Sequence, residues 1–215
     1  MIEFKNITLK VHQQTLLKQT NLHIIPNNKL VVQGLSGCGK SSLLKSVVGA
    51  FPIFGGSIQI DGMKLCAKNI TKIRARIAFI GQEPVLGAKN VRDALLLPFS
   101  FKAHHGKEPS KNTIIKTLER LHLPPAILDK PSKRISGGEK QRIAIARALL
   151  LGKNIFLADE ITSALDPKSK IAVMNELFRS GTTLLSVSHD PDWIERCDRM
   201  VEIKNRQLKE VIREY

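Results

Sequence analysis

An α/β fold with a mainly parallel sheet is the fold class this sequence predicts, on three observations. Short apolar runs, Lys29-Leu30-Val31-Val32-Gln33, Ile77-Ala78-Phe79-Ile80, Ile155-Phe156-Leu157-Ala158 and Thr182 to Val187, alternate with helical stretches. That is the pattern of strands covered on both faces by crossover helices. A glycine-rich turn, Gly34 to Ser41, stands between a strand and a helix. Two carboxylates, Asp159 and Glu160, close the third run, at the strand end where open α/β sheets bind their ligands.

Taken in order, residues 2–33 read as an alternating β segment. Ile2, Phe4, Ile7, Leu9 and Val11 lead to Leu16-Leu17, Leu22, Ile24 and Ile25, then a Pro26-Asn27-Asn28 turn and the short strand at Lys29. Ser41 to Val48 reads as a helix with Leu43, Leu44, Val47 and Val48 on its apolar face, closed by Gly49 and Pro52. Phe54 to Gly62 reads as turn, strand, turn. From Val91 to Leu150 the pattern is mainly helical, interrupted at Pro98, His104-His105-Gly106, Pro124-Pro125 and Pro131, which suggests an inserted helical lobe. Helices are expected between and after the last two strands. No internal repeat or low-complexity segment is evident.

The 215 residues suffice for one large domain or two closely packed lobes. No run of about 18 uncharged apolar residues occurs, so no spanning helix is expected. The start, Met1-Ile2-Glu3-Phe4-Lys5, enters strand-like sequence directly and offers no signal peptide. Cys38, Cys66 and Cys197 are scattered and odd in number, which suits a reducing compartment and matches no zinc spacing. The net charge of +15 admits a nucleic-acid partner or anionic lipid headgroups. Because the basic residues are spread along the chain, charge alone does not choose between them.

The chemistry sits in three stretches. In Gly34-Leu35-Ser36-Gly37-Cys38-Gly39-Lys40-Ser41-Ser42 the glycines let backbone N–H groups wrap a phosphate, and the following helix N-terminus adds partial positive charge. Lys40 can reach the β- and γ-phosphates of a nucleotide and Ser41 can ligate Mg²⁺. After the strand at Ile155, Asp159 is placed to hold Mg²⁺ and Glu160 to orient or deprotonate an attacking water. Ser136-Gly137-Gly138-Glu139 opens a helix running through Ile143, Ala146 and Leu149, an anion-seeking cap too late in the chain to share the phosphate-loop position. Elsewhere the residues read as structural. His104-His105 belong to a solvated loop, Cys38 fills a tolerant loop position, and Trp193 and Cys197 are packing residues on the last helices.

The stretch Ile135-Ser136-Gly137-Gly138-Glu139-Lys140-Gln141-Arg142 closely resembles the signature motif of ATP-binding cassette (ABC) ATPases. The resemblance covers nearly the whole chain. It implies a RecA-like P-loop NTPase core, an antiparallel β subdomain and an inserted α-helical subdomain. A single ABC ATPase domain would then fill residues 1–215. Its core would take about 1–84 and 151–215, and the helical subdomain about 85–150. The resemblance also implies ATP and Mg²⁺ as ligands, and a second copy whose signature residues reach the γ-phosphate in trans. Gln82 matches the glutamine that contacts Mg²⁺ or water and links the site to the helical lobe. Ser163-Ala164-Leu165-Asp166 matches the D-loop at the dimer interface. His189 matches the switch histidine at the γ-phosphate. The family's usual fifth signature residue is Gln, here Glu139. The aromatic residue that the family stacks on adenine is missing from Leu9-Lys10-Val11-His12-Gln13, leaving Val11 or His12 to pack on the base.

Family members that repair DNA carry coiled coils or zinc modules between phosphate loop and signature, and translation factors carry two cassettes; neither feature occurs here. Transport is therefore favoured, with a separate integral-membrane permease as partner and a peripheral position on the inner face of the cell membrane. A soluble ATPase acting on nucleic acid or ribosomes is disfavoured. Gly37 to Ser41, Ser136 to Ile143 and Asp159 to Asp166, with Leu97-Pro98-Phe99, look like the ATPase subunit of bacterial FetA-type iron exporters. Direction of transport and cargo are not legible in a cassette.

Overall fold

The computed structural model describes residues 1–211. The β segment resolves into β1 (Ile2–Val11), β2 (Gln14–Ile24) and β3 (Lys29–Gln33). Helix α1 (Lys40–Val47) follows the glycine-rich turn and buries Leu43, Leu44 and Val47. Next come β4 (Gly55–Ile60), the two-residue β5 (Met63–Lys64), the short α2 (Ile70–Arg74) and β6 (Ile77–Ile80). The helical lobe contains α3 (Val91–Leu96), α4 (Lys111–Arg120) and α5 (Gly137–Leu150), with 3₁₀ turns between them. The described residues finish with β7 (Ile155–Asp159), α6 (Pro167–Leu177), β8 (Thr183–Val187), α7 (Pro191–Arg196), β9 (Arg199–Lys204) and β10 (Gln207–Val211).

Two sheets form. One is antiparallel, in the order β2-β1-β4-β5. The other is ordered β10-β9-β3-β8-β7-β6, parallel throughout except for the antiparallel edge strand β10. The terminal hairpin β9–β10 is a departure from the expectation of helices alone after β8: α7 is a short helix and the chain then returns to the sheet. Trp193 lies on α7 as a packing residue, its ring edge on Phe178 and its Nε1–H donating to Ser186 Oγ at 2.9 Å. Cys197 is buried just past that helix.

The parallel sheet divides the interior. Successive side chains of a strand point to opposite faces, and here each face has its own core. Phe156, Ala158, Leu184 and Val31 face the helices of the lobe together with α6 and Trp193. Leu157, Leu185, Leu30 and Val32 face α1 and the antiparallel sheet. Burial on both faces explains why β7 is apolar up to Asp159 and why β8 carries only small hydroxyl residues, Thr183 and Ser186, among its apolar ones, with no exposed residue in either. The lobe residues Ile114, Leu118 and Ile127 belong to the first of these cores, so the lobe shares its packing with the sheet. Among the described residues no helix is long and apolar enough to cross a membrane.

Candidate nucleotide site

The candidate residues of the core gather at one edge of the parallel sheet. β3 runs into the phosphate loop, β6 into Gly81-Gln82, β7 ends at Asp159, and β8 leads to Ser188-His189. Because these four strands are neighbours in the order β3-β8-β7-β6, their C-terminal ends share one rim.

The phosphate loop needs its glycines. Gly39 caps α1 with φ of 111°, and a Cβ on it would lie 3.0 Å from Cβ of Leu16. The β1–β2 hairpin is thus pressed against the loop, and Gly39 meets both a backbone and a packing demand. Lys40 is only 6% exposed, and its ammonium donates to the carbonyls of Gly34 (2.7 Å) and Leu35 (3.1 Å). Cys38 is half-buried within the loop; its Sγ would lie 2.8 Å from a Cβ on Gly34. Ser36, Gly37 and Ser42 complete the turn and the first residues of α1.

Ser41 Oγ donates to Asp159 Oδ1 at 3.0 Å, joining the helix that follows β3 to the end of β7. Asp159 is 4% exposed. Burial pushes its carboxyl above the usual carboxylate range and the Glu160 charge adds to this, against the Ser41 hydrogen bond and the Lys45 and Lys40 charges. A buried carboxylate and a hydroxyl oxygen, side by side, are hard donors of the kind Mg²⁺ takes. The residues fit that ion.

Glu160 adopts a left-handed backbone, φ 49°, rare for a non-glycine residue, while its N–H donates to Val187 O at 2.9 Å. The bent backbone turns the side chain between two partners. Gln82 Nε2 donates to Glu160 Oε2 at 3.1 Å, and His189 Nε2 lies 3.8 Å from Oε1. Such a carboxylate, oriented by an amide from one strand end and an imidazole from another, can accept a proton from a positioned water. Ser163 Oγ donates to Glu160 O at 3.0 Å, so the turn to Asp166 hangs from the same residue. Asp166 caps α6 by accepting from Ser169 N at 3.0 Å. A cavity of about 340 Å³ opens between Glu160, Ser163, Leu165, Lys170 and His189.

The second glycine-rich turn is a complete capping box. Ser136 Oγ accepts from Glu139 N at 3.3 Å, and the Glu139 carboxylate accepts from Ser136 N at 2.9 Å. The Ser136 amide, foremost, holds the Glu139 carboxyl below its usual range, which accounts for an acid at this position. Gly138 faces the Ala164 carbonyl, 3.0 Å from where a Cβ would stand. The structure therefore brings the signature turn and Ala164-Leu165 together. Among the described residues no hydrogen bond ties Ser136, Gly137 or Gly138 to the phosphate loop of their own chain.

Two residues of α5 escaped the sequence reading. Gln141, 2% exposed, donates to Gly81 O at 3.3 Å, and Arg147 donates to Val85 O and Leu86 O at 2.9 and 3.0 Å. Both fix the segment around Gln82 to the signature helix. Their signal was a polar residue within the helix's apolar periodicity. On the hairpin side, Val11 is 37% exposed and His12 sits at the turn with φ 49°.

Residues 17–163 match a family model described as ABC transporter. The chain belongs to this family. It is the ATP-binding, ATP-hydrolysing cassette of an ABC transporter. It is 30% identical to the “Probable iron export ATP-binding protein FetA” of Escherichia coli K12, covering 95% of this chain and 91% of that protein. It is also 30% identical to the energy-coupling factor transporter ATP-binding protein EcfA1 of Streptococcus mutans, covering 97% and 77%. With the macrolide export ATP-binding/permease protein MacB of Neisseria meningitidis the identity is 34%, over 97% of this chain and 34% of that protein. The chain thus spans nearly all of one relative and about a third of another. The solved ABC cassette MJ0796 superposes with a TM-score of 0.87 at 29% identity, over 100% of both chains; it was solved as a dimer in a post-hydrolysis state bound to ADP and Pi.

Proposed function

We propose that this cassette powers a separate membrane permease by closing on a second copy of itself over two ATP molecules. The observation that carries the reading is the Glu160 carboxylate, oriented between Gln82 and His189 beside the Ser41–Asp159 pair. The phosphate loop from Gly34 to Ser42 binds the triphosphate, with Lys40 swinging from the Gly34 and Leu35 carbonyls to the β- and γ-phosphates. Ser41 and Asp159 would hold Mg²⁺, with Gln82 reaching it directly or through water; the ion supplies neutralisation of charge on the phosphate oxygens. Glu160 takes the proton of the attacking water while His189 faces the γ-phosphate. Ser136, Gly137, Gly138 and Glu139 form the cap that a second copy's nucleotide would meet, and Ser163 to Asp166 lie beside that cap. Loss of the γ-phosphate contacts reopens the pair.

The dimeric state of MJ0796 supports the second copy. The likeness to FetA supports iron as cargo and export as direction; EcfA1 and MacB, with equal or higher identity, pull toward other cargoes. One experiment tests the reading. Glu160→Gln, which keeps an acceptor oxygen for the Gln82 amide but turns the other carboxylate oxygen into a donor, should bind ATP, lose hydrolysis by about 10²–10⁴-fold and accumulate an ATP-dependent dimer. Tagged Glu160→Gln protein, recovered with ATP from detergent-solubilised source membranes, should bring down a multi-spanning protein. Wild-type turnover by the variant sinks the base assignment. Recovery of ribosomes or nucleic acid with no membrane protein replaces the transport reading by the soluble-ATPase one, to which the +15 charge lends its weight.

A further inference from the structure

On the opposite edge of the parallel sheet, the loop Gly152–Asn154 before β7 and the loop Ser180–Thr182 before β8 enclose a pocket of about 240 Å³. Arg120 enters it from the end of α4, Arg179 from just past α6, and Lys153 from the first loop. Glu176 is the one carboxylate lining it, 8% exposed, accepting from Arg120 Nε at 2.9 Å and Arg179 Nη1 at 3.4 Å. Lys153 forms no ion pair among the described residues. A second cavity of about 480 Å³ adjoins the first, sharing Gly152, Lys153, Asn154 and Gly181; its Arg76 is paired with Asp61 at 3.0 Å.

The positive charge here exceeds what the fold consumes. Cations commonly settle at helix C-termini, where each helix offers about half a negative charge, and α4, α5 and α6 all end nearby. Yet neither Arg120 nor Arg179 nor Lys153 donates a hydrogen bond to a carbonyl of those ends among the described residues. Burial, with the Lys107 charge behind it, holds the Lys153 ammonium below its ordinary range; burial and both lysines do the same to His104. Lys153 and Lys107 repel one another, and an anion held at Lys153 would relieve that repulsion.

We propose that this pocket is a binding site for a phosphate-class anion, held by Lys153 and by the guanidinium groups of Arg120 and Arg179. A single carboxylate would leave most of these donors unused, whereas a phosphate offers three or more acceptor oxygens to two planar guanidinium forks and an ammonium. Ser180 and Thr182 line the same wall. The site lies on the edge away from Lys40, so it is separate from the nucleotide, and a bound anion would join α4 of the lobe to the core. The same chemistry is carried by a free phosphate compound and by a lipid headgroup.

The test uses the full chain with Lys40→Ala to silence the phosphate loop, titrated calorimetrically with inorganic pyrophosphate. In parallel, the protein is floated with phosphatidylglycerol or phosphatidylcholine vesicles. Saturable binding in one arm is expected, about tenfold weaker (one charge-assisted hydrogen bond) in Lys153→Ala and in Arg179→Ala, and retained in Lys153→Arg. Pyrophosphate binding assigns a free anion; binding confined to phosphatidylglycerol assigns a headgroup. No saturable binding in either arm overturns the site, as does binding that Lys153→Ala and Arg179→Ala both leave unchanged while their unfolding midpoints match wild type. Pyrophosphate binding that vanishes with Lys40→Ala alone, with no vesicle binding, also overturns it.

Discussion

Asp159→Asn should raise the stability of the nucleotide-free protein while abolishing its stabilisation by MgATP. Asp159 is 4% exposed, and burial is the first cause of its raised carboxyl pKa. An asparagine can keep its Oδ1 as acceptor for the Ser41 hydroxyl, so the 3.0 Å hydrogen bond survives as a neutral one, at a loss of about 1 kcal/mol. Against this stands the removal of a buried ionised carboxylate, whose desolvation costs several kcal/mol, and of its repulsion with Glu160. Part of that relief is cancelled by losing the attraction of Lys45 and Lys40. A net gain of about 1 kcal/mol is expected, roughly 2–4 °C in unfolding midpoint for a chain of this size. The pH dependence has a definite sign. An acid whose folded pKa is raised burdens the native state fully above that raised value and not at all below the unfolded value near 3.8. Wild type should therefore gain on the variant as pH falls through that window, and the gap should close. Scanning calorimetry in chelator, at neutral pH and across that acidic window, reads this directly. With Mg²⁺ and ATP at about a hundred times Kd, wild type should rise by about 2.7 kcal/mol and the variant should not. A wild type more stable than Asp159→Asn in chelator at neutral pH, with its lead shrinking on acidification, would refute the reasoning.

Ser136→Ala removes the acceptor for Glu139 N and one of the donors to its carboxylate, so it should cost about 1 kcal/mol in denaturant unfolding. It should also lower hydrolysis while leaving ATP affinity of the monomer unchanged, since no hydrogen bond ties Ser136 to its own phosphate loop among the described residues; equilibrium binding against turnover separates the two. Gly56→Ala should prevent folding or cost at least about 3 kcal/mol, combining left-handed strain with overpacking. The backbone there has φ of 78° and a Cβ would stand 2.2 Å from the Lys5 carbonyl, in the β1–β4 pairing. Soluble expression and urea unfolding would show it.

The parallel core was legible because its strands are buried on both faces, which leaves continuous apolar runs in the sequence. The terminal hairpin was not. Only Val201 and Ile203 of β9 are buried, and β10 has no buried residue, so its alternation is faint. The turn between them, Asn205-Arg206, has φ of 51° and 64°, a pair of left-handed residues of the kind a two-residue hairpin needs. With arginine where glycine would be usual, the turn signal was hidden. The antiparallel strands bend at Asn6 and Gln19, both at positive φ, which disturbs the period-two pattern near the register shifts of β1.

In the site, the residues that motifs announce are those gathered at the C-terminal rim of the sheet, while the residues that align them look ordinary in sequence. Gln141 and Arg147 illustrate why. Each sits on α5 with its polar head turned onto backbone carbonyls of residues 81, 85 and 86, a contact made about 60 residues away in the chain. Both act on the segment holding Gln82, whose amide orients Glu160. The helix opened by Ser136 is thus mechanically joined to the carboxylate at the end of β7. Tilting α5 would drag Gly81 and shift the Gln82 amide against Glu160, so lobe orientation and the placing of the Glu160 carboxylate are coupled through two hydrogen-bonded steps. The coupling depends on the length and register of α5, which fixes Ser136, Gln141 and Arg147 relative to one another at 1.5 Å per residue. Composition carries none of this; only the pairing of a polar side chain with a distant carbonyl reveals it.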